Sequence, residues 1–150
     1  MEPKKYFVLT FNPIRWAEGG WEREDFEEWL RKFKGGSTTI IPWSIQSFKQ
    51  AKKGDMCFFL VQGEVSRGIF GAGEIVKEAY EDVNWNGDGK LRHYVLVKCK
   101  KLTDYLTPFV STNELKQLVP KYNWTPMSGG LPMDFETAKA LMCRLKWNLL

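Results

Sequence analysis

The stretch that decides the fold is Met56–Lys77, MCFFLVQGEVSRGIFGAGEIVK. Met56 to Val61 is an unbroken apolar run bounded by turn residues. It is too short for a helix and lacks polar alternation, so it reads as a strand buried on both faces. Lys53-Gly54-Asp55 is the turn that feeds it, and Gln62 to Ser66 turns the chain again. Arg67 to Lys77 then reads as its hairpin partner. Gly68, Gly71 and Gly73 fall inside that partner, where glycine marks bulges or strong coiling, as in a small closed barrel.

Working outward, Tyr6–Phe11 (YFVLTF) is a β-branched and aromatic strand ended by Asn12-Pro13, and Ile14 to Trp21 is a loop. Glu22 to Lys34 carries Phe26, Trp29, Leu30 and Phe33 at helical spacing, with acids early and bases late, as the helix dipole prefers. Gly35-Gly36 stops it. Ser37–Ile41 reads as a short strand closed by Pro42-Trp43-Ser44. Ser44 can cap a short helix that turns Ile45 and Phe48 inward and Lys49, Lys52 and Lys53 outward.

Downstream, Glu78–Lys90 reads as a polar connection and Leu91–Leu102 as an alternating strand. Thr112–Val119 is a short helix and Tyr122–Pro132 a loop. Asp134 caps a last helix with Phe135, Ala138, Leu141, Met142 and Leu145 on one stripe. These elements predict an α+β chain: a mixed β-barrel of five to six strands flanked by helices, one domain over residues 1–150.

Composition narrows the function. The formal charge of +4 permits a polyanionic partner without demanding one. No apolar run reaches the ~20 residues that span a bilayer, and the start lacks a signal-peptide core, so a cytoplasmic protein without membrane contact is expected. Cys57, Cys99 and Cys143 read as buried free thiols, and His93, the single histidine, has no nucleophile beside it. Asp82-x-Asn84-x-Asn86-Gly87 imitates half of a calcium loop, but the twelfth position is His93 and the flanks are strand-like. Glu74 and Lys77 point to opposite faces of a strand, so they do not build a nuclease centre, and an isolated acid such as Asp55 is expected to be solvated. No catalytic role, cofactor or metal is expected.

The aromatic share is the feature that remains: 15% of the chain, with seven tryptophans. Trp29 and Trp147 lie on helical stripes and read as core. Trp16, Trp21, Trp43, Trp85 and Trp124 fall in loops or at element ends, where a rigid scaffold presents binding groups. Two facing indoles make a slot for a planar base or a methylated cation. Asn12 and Ser44 could hydrogen-bond a base edge there. Lys49, Lys52, Lys53 and Arg67, with the backbone of Ser128-Gly129, could contact phosphates.

Taken together, YFVLTFNPIRW, the Trp43-Ser44 junction, Lys53-Gly54-Asp55, RGIFGAGEIVKEAYED over residues 67–82 and the later WTPMSGGLP resemble the EVE domains of the PUA-like superfamily, relatives of the YTH readers of methylated adenine. The resemblance implies a β-barrel that takes a flipped, modified base, often a modified cytosine in DNA, into an aromatic cage. Trp43 and Trp85 would be its walls and Asn12 a polar contact, and a role in a restriction or defence system would follow. The segment Ile14–Gly36, with its own helix, departs from the shorter segment of most relatives and leaves the roles of Trp16 and Trp21 open.

Two other readings stand beside a DNA reader. One is an RNA-binding PUA-like module. The other is a small-molecule or protein-interaction domain using the same slot. As an isolated domain the chain is expected to be monomeric.

Overall fold

The computed structural model describes residues 4–12, 23–45, 49–63, 67–83, 91–126 and 129–147. In chain order the elements are β1 (Tyr6–Phe11), α1 (Arg23–Lys34), β2 (Ile40–Ser44), β3 (Met56–Val61), β4 (Gly68–Val83), β5 (Leu91–Leu102), β6 (Val110–Ser111), α2 (Thr112–Leu118), β7 (Leu131–Met133) and α3 (Phe135–Leu145). The sheet runs β2-β5-β4-β3-β1-β7, with β6 pairing β4. It is mixed: β1 and β3 are parallel, from Tyr6 opposite Met56 to Phe11 opposite Val61, and the other ladders are antiparallel.

Alternation along the strands divides the apolar residues between two layers. Phe7, Leu9 and Phe11 of β1, Cys57, Phe59 and Val61 of β3, and Ile41 and Trp43 of β2 join Phe26 and Leu30 of α1 in the first layer. Tyr6, Val8, Met56, Phe58 and Leu60 face the other way and pack with Leu115 of α2 and Ala138, Leu141 and Leu145 of α3. β3 is therefore buried on both faces along its whole length, as its unbroken apolar run predicts.

The sheet curls. Register shifts fall at Phe59/Leu60 in the β3–β4 ladder and at Ala72/Gly73 in the β4–β5 ladder, next to the glycines read as bulges, and again at Ile75/Lys77 and Lys77/Tyr80. A Cβ on Gly71 would sit 2.5 Å from the Phe59 ring, and one on Gly73 would sit 2.5 Å from the Lys98 carbonyl. The strands approach this closely only because those positions lack a side chain. Curling brings edge strand β2 across to β1, where the Trp43 indole N–H donates to the Thr10 carbonyl at 3.1 Å. Among the described residues no ladder joins β2 to β1, so the result is a half-barrel and not the closed barrel that the glycines suggest.

Several expectations need correction. The second strand is Ile40–Ser44 instead of Ser37–Ile41. Pro42 fits within it because β2 is an edge strand paired only to β5. β4 continues to Val83 through residues read as a connection, since Tyr80 to Val83 keep pairing with β5. Leu131–Met133, whose first two residues read as loop in the sequence, adds an edge strand to β1. Phe135, placed on the buried stripe of α3, is 55% exposed, because it sits in the first turn beyond the core. Cys143 is exposed, whereas Cys57 and Cys99 are buried. The short helix after Ser44 falls partly on residues 46–48, outside the described residues.

Asp55 is also buried, contrary to the expectation of a solvated acid. Its carboxylate accepts from the backbone N–H of Lys5 at 3.0 Å and of Lys52 at 2.8 Å, tying the turn before β3 to the start of β1. Among the described residues no helix is long and apolar enough to cross a membrane.

Candidate nucleic-acid-binding site

The parallel pair β1–β3 sends two strand ends out on the same side, and polar residues follow both. Asn12, half-buried, follows Phe11, and Gln62 follows Val61. The Gln62 N–H donates to the Phe11 carbonyl at 2.8 Å, which extends the ladder by one bond. Its side-chain amide donates to the Pro126 carbonyl at 3.1 Å, holding the loop before β7 over the strand ends. Gly129 in that loop lies so close to β1 that a Cβ would meet Thr10 Oγ1 at 2.4 Å. Arg67 lies at this end too, because Gly68 pairs with Val61, and its Nε donates to the Gly63 carbonyl at 2.6 Å.

Trp43 enters the same region from β2. It is 4% exposed, with its ring centroid 4.7 Å from Phe59 and 6.2 Å from Phe70. With the N–H held by Thr10 and one side covered by Phe59, the indole is fixed in place by the fold itself. Burial at this level makes Trp43 part of the core as well as a residue at the strand ends. Ser44, the next residue, is exposed, so the two side chains take opposite faces of β2.

The structure thus gathers Asn12, Trp43, Arg67 and Gly129 around the carboxyl ends of β1 and β3. It sets Lys52 and Lys53 apart, in the turn that enters β3, and Lys49 just before them, all exposed. They lie the length of the strand away, about 20 Å at 3.3 Å per residue. Trp16, Trp85 and Ser128 lie outside the described residues, so the Trp43–Trp85 pair has no described geometry. Of the remaining tryptophans, Trp124 is buried and donates to the Val119 carbonyl at 2.9 Å, while Trp29 and Trp147 are half-buried against the two cores. Gln62 and Thr10 escaped the sequence reading. Gln62 carried a usable signal, being a polar residue directly after a fully apolar strand. Thr10 acts through its carbonyl, which no side-chain pattern reveals.

Two of the three thiols are shielded by the fold. Burial pushes the Cys57 thiol far above its usual range, with the nearby Asp55 charge adding to it, and lifts Cys99 to about 12. Thiols so shielded stay protonated and unreactive at neutral pH. Among the described residues no group of three or more His, Cys, Asp or Glu could hold a metal ion.

No protein family matches the sequence, and no curated protein does either. Solved structures do match. A hypothetical protein from Leishmania major is 16% identical over 96% of each chain, with a TM-score of 0.62. The human THYN1 protein, solved in complex with 5-methylcytosine containing DNA, is 16% identical over 93% of this chain and 96% of that one, with a TM-score of 0.61. The YTH domain of Zygosaccharomyces rouxii MRB1, in complex with N6-methyladenosine RNA, is 16% identical over 100% of this chain and 89% of that one, with a TM-score of 0.55.

The fold is PUA-like. In this PUA-like half-barrel the concave layer is the aromatic one. Phe11, Phe26, Phe59, Phe70 and Tyr105 pack at tilted to edge-on angles behind Trp43.

Proposed function

We propose that this PUA-like chain is an EVE-type reader of nucleic acid, holding a flipped, modified base at the carboxyl ends of β1 and β3. The observation that carries the reading is the Trp43 indole, locked by Thr10 and backed by Phe59, at the place where Asn12 and Gln62 leave the sheet. The indole is ordered in advance, so once a base displaces what covers its second face no further ordering cost arises, and stacking on an aromatic is worth roughly 1–3 kcal/mol per base. That is enough to offset much of the few kcal/mol needed to unstack one base.

Two solved neighbours of the same fold hold modified-base nucleic acids, one DNA and one RNA, which supports the class of ligand. A modified cytosine in DNA is the favoured target within it, with Trp85 as the second wall and a place in a modification-dependent restriction or defence system. Binding without catalysis is part of the reading, in keeping with the shielded thiols and with neighbours solved as nucleic-acid complexes.

The test is a nuclear magnetic resonance titration that follows the indole N–H signals. Oligonucleotides carrying 5-methylcytosine, 5-hydroxymethylcytosine or N6-methyladenine should shift the Trp43 signal, and unmodified ones should shift it less or not at all. An unmoved Trp43 signal under saturating nucleic acid contradicts the site. Matched DNA and RNA probes separate the two ligand types through the 2′-hydroxyl.

A further inference from the structure

At the other end of β1, where the strand begins, a groove of about 230 Å³ lies between the turn before β3 and the corner from β7 into α3. Lys4, Lys5 and Gln50 line one side, and Pro132, Met133 and Phe135 line the other. Its charge is one-sided. Lys4, Lys49, Lys52 and Lys53 are all exposed around the turn, and Lys5 Nζ reaches the Gln50 carbonyl at 3.2 Å. Two neighbouring acids are already engaged: the buried Asp55 carboxylate takes the N–H groups of Lys5 and Lys52, and Asp134 takes the N–H and hydroxyl of Thr137.

The other wall carries an aromatic that the core does not use. Phe135 is 55% exposed, its ring 5.9 Å from that of Tyr6. Exposed Lys139, four residues on, shares its side of α3, whereas Glu136, one residue on, points elsewhere. A phenyl ring in a groove that lysines line on its other side suits a strand that offers both a π-face and phosphates, which an acidic peptide or a lipid headgroup does not.

We propose that this groove is a second nucleic-acid contact, an anchor for single-stranded residues flanking the base held at the strand ends. Lys4 and Lys5 in the groove, with exposed Lys49, Lys52 and Lys53 in the adjoining turn, neutralise phosphates, and Phe135 stacks on one unpaired base. The inference rests on the reader function above and adds a length to it. The two sites are separated by the β1–β3 span of about 20 Å, roughly six phosphates of stacked strand and fewer of an extended one.

The experiment compares the full chain with two variants, Phe135→Ala and the quadruple Lys4→Glu/Lys49→Glu/Lys52→Glu/Lys53→Glu. A second quadruple change away from the groove, Lys34→Glu/Lys100→Glu/Lys116→Glu/Lys121→Glu, controls for net charge. Each protein is titrated with a modified oligonucleotide of about four residues and one of about fifteen, spanning known single-strand site sizes. The anchor predicts that the wild type binds the long probe more tightly than the short one. Both groove variants should lose about tenfold or more on the long probe alone. The quadruple should also show a salt slope shallower by about 0.7 for each phosphate it no longer neutralises. The control quadruple should lose less.

Groove variants that bind the long probe like the wild type, or that weaken long and short probes equally, overturn the anchor while leaving the reader intact. Loss in the quadruple without loss in Phe135→Ala overturns the stacking role. Tighter binding of a polyglutamate peptide than of the long probe, abolished by the quadruple change, assigns the groove to a protein partner and overturns the anchor. A wild type that binds neither probe removes the reader function itself.

Discussion

Trp43 is asked to do two things, and the balance between them can be measured. As a buried indole stacked on Phe59 it holds the concave core, and truncation of such a residue typically costs about 3–5 kcal/mol. Trp43→Ala should therefore lower the denaturation midpoint markedly, and any loss of binding in that variant mixes site and fold. Trp43→Phe keeps a ring but removes the donor to Thr10. It should cost less stability while still weakening selectivity for a modified base, and chemical denaturation run beside a binding assay separates the two effects.

A second residue-scale prediction concerns Arg23 and Asp104. Arg23 grips the Asp104 carboxylate at 2.9 and 3.2 Å and lies over the Tyr105 ring at 4.7 Å. The Arg23 hydrogen bond holds the Asp104 carboxyl below its usual range. A depressed carboxylate contributes stability fully above its unfolded pKa, about 4, and loses that contribution as pH falls through the lower folded value. Urea midpoints should thus fall more steeply below about pH 4 in the wild type than in Asp104→Asn. Parallel curves would show that the pair adds nothing.

At the scale of elements, the glycines of β4 set the curl, and the curl brings β2 to β1. Gly73→Ala would press a methyl group against the Lys98 backbone, which cannot swing aside as a side chain can. Overpacking of this kind costs about 1–3 kcal/mol. The loss should appear as a lower melting temperature together with a shifted Trp43 indole signal, since the Thr10 hydrogen bond depends on that curvature. An unchanged indole signal would detach the bulge from the site.

These glycines were legible in the sequence, as were β1, β3, β5 and the Asp134 cap, because each is written in local pattern and turn chemistry. The corrected elements are those that depend on distant partners. β7 exists only because β1 offers it an edge, and the far half of β4 only because β5 continues beside it. Asp55 is buried because two N–H groups from other segments meet it, which no run of residues around a Lys-Gly-Asp turn discloses. Of the site, Trp43 and Asn12 could be named from their place at strand ends, and the structure brings them into one region. The lysines could not be placed, since the parallel pairing that sends residues 49–53 to the far end of β1 is a long-range fact.

Over the whole molecule, the PUA-like half-barrel separates a dry aromatic interior from two wet ends, one with polar strand termini and the other with a basic groove. A net charge of +4 is too small to hold nucleic acid tightly by itself, so on the proposed reading selectivity would come from the strand-end site. Affinity for any probe should still fall as salt rises, in proportion to the phosphates neutralised. The most direct test of modified-base reading is the ratio of dissociation constants for matched oligonucleotides, modified and unmodified, measured at one fixed salt concentration. A reader of this kind should bind at least one of 5-methylcytosine, 5-hydroxymethylcytosine or N6-methyladenine about tenfold or more tightly than its unmodified partner. Equal constants across the panel would contradict it.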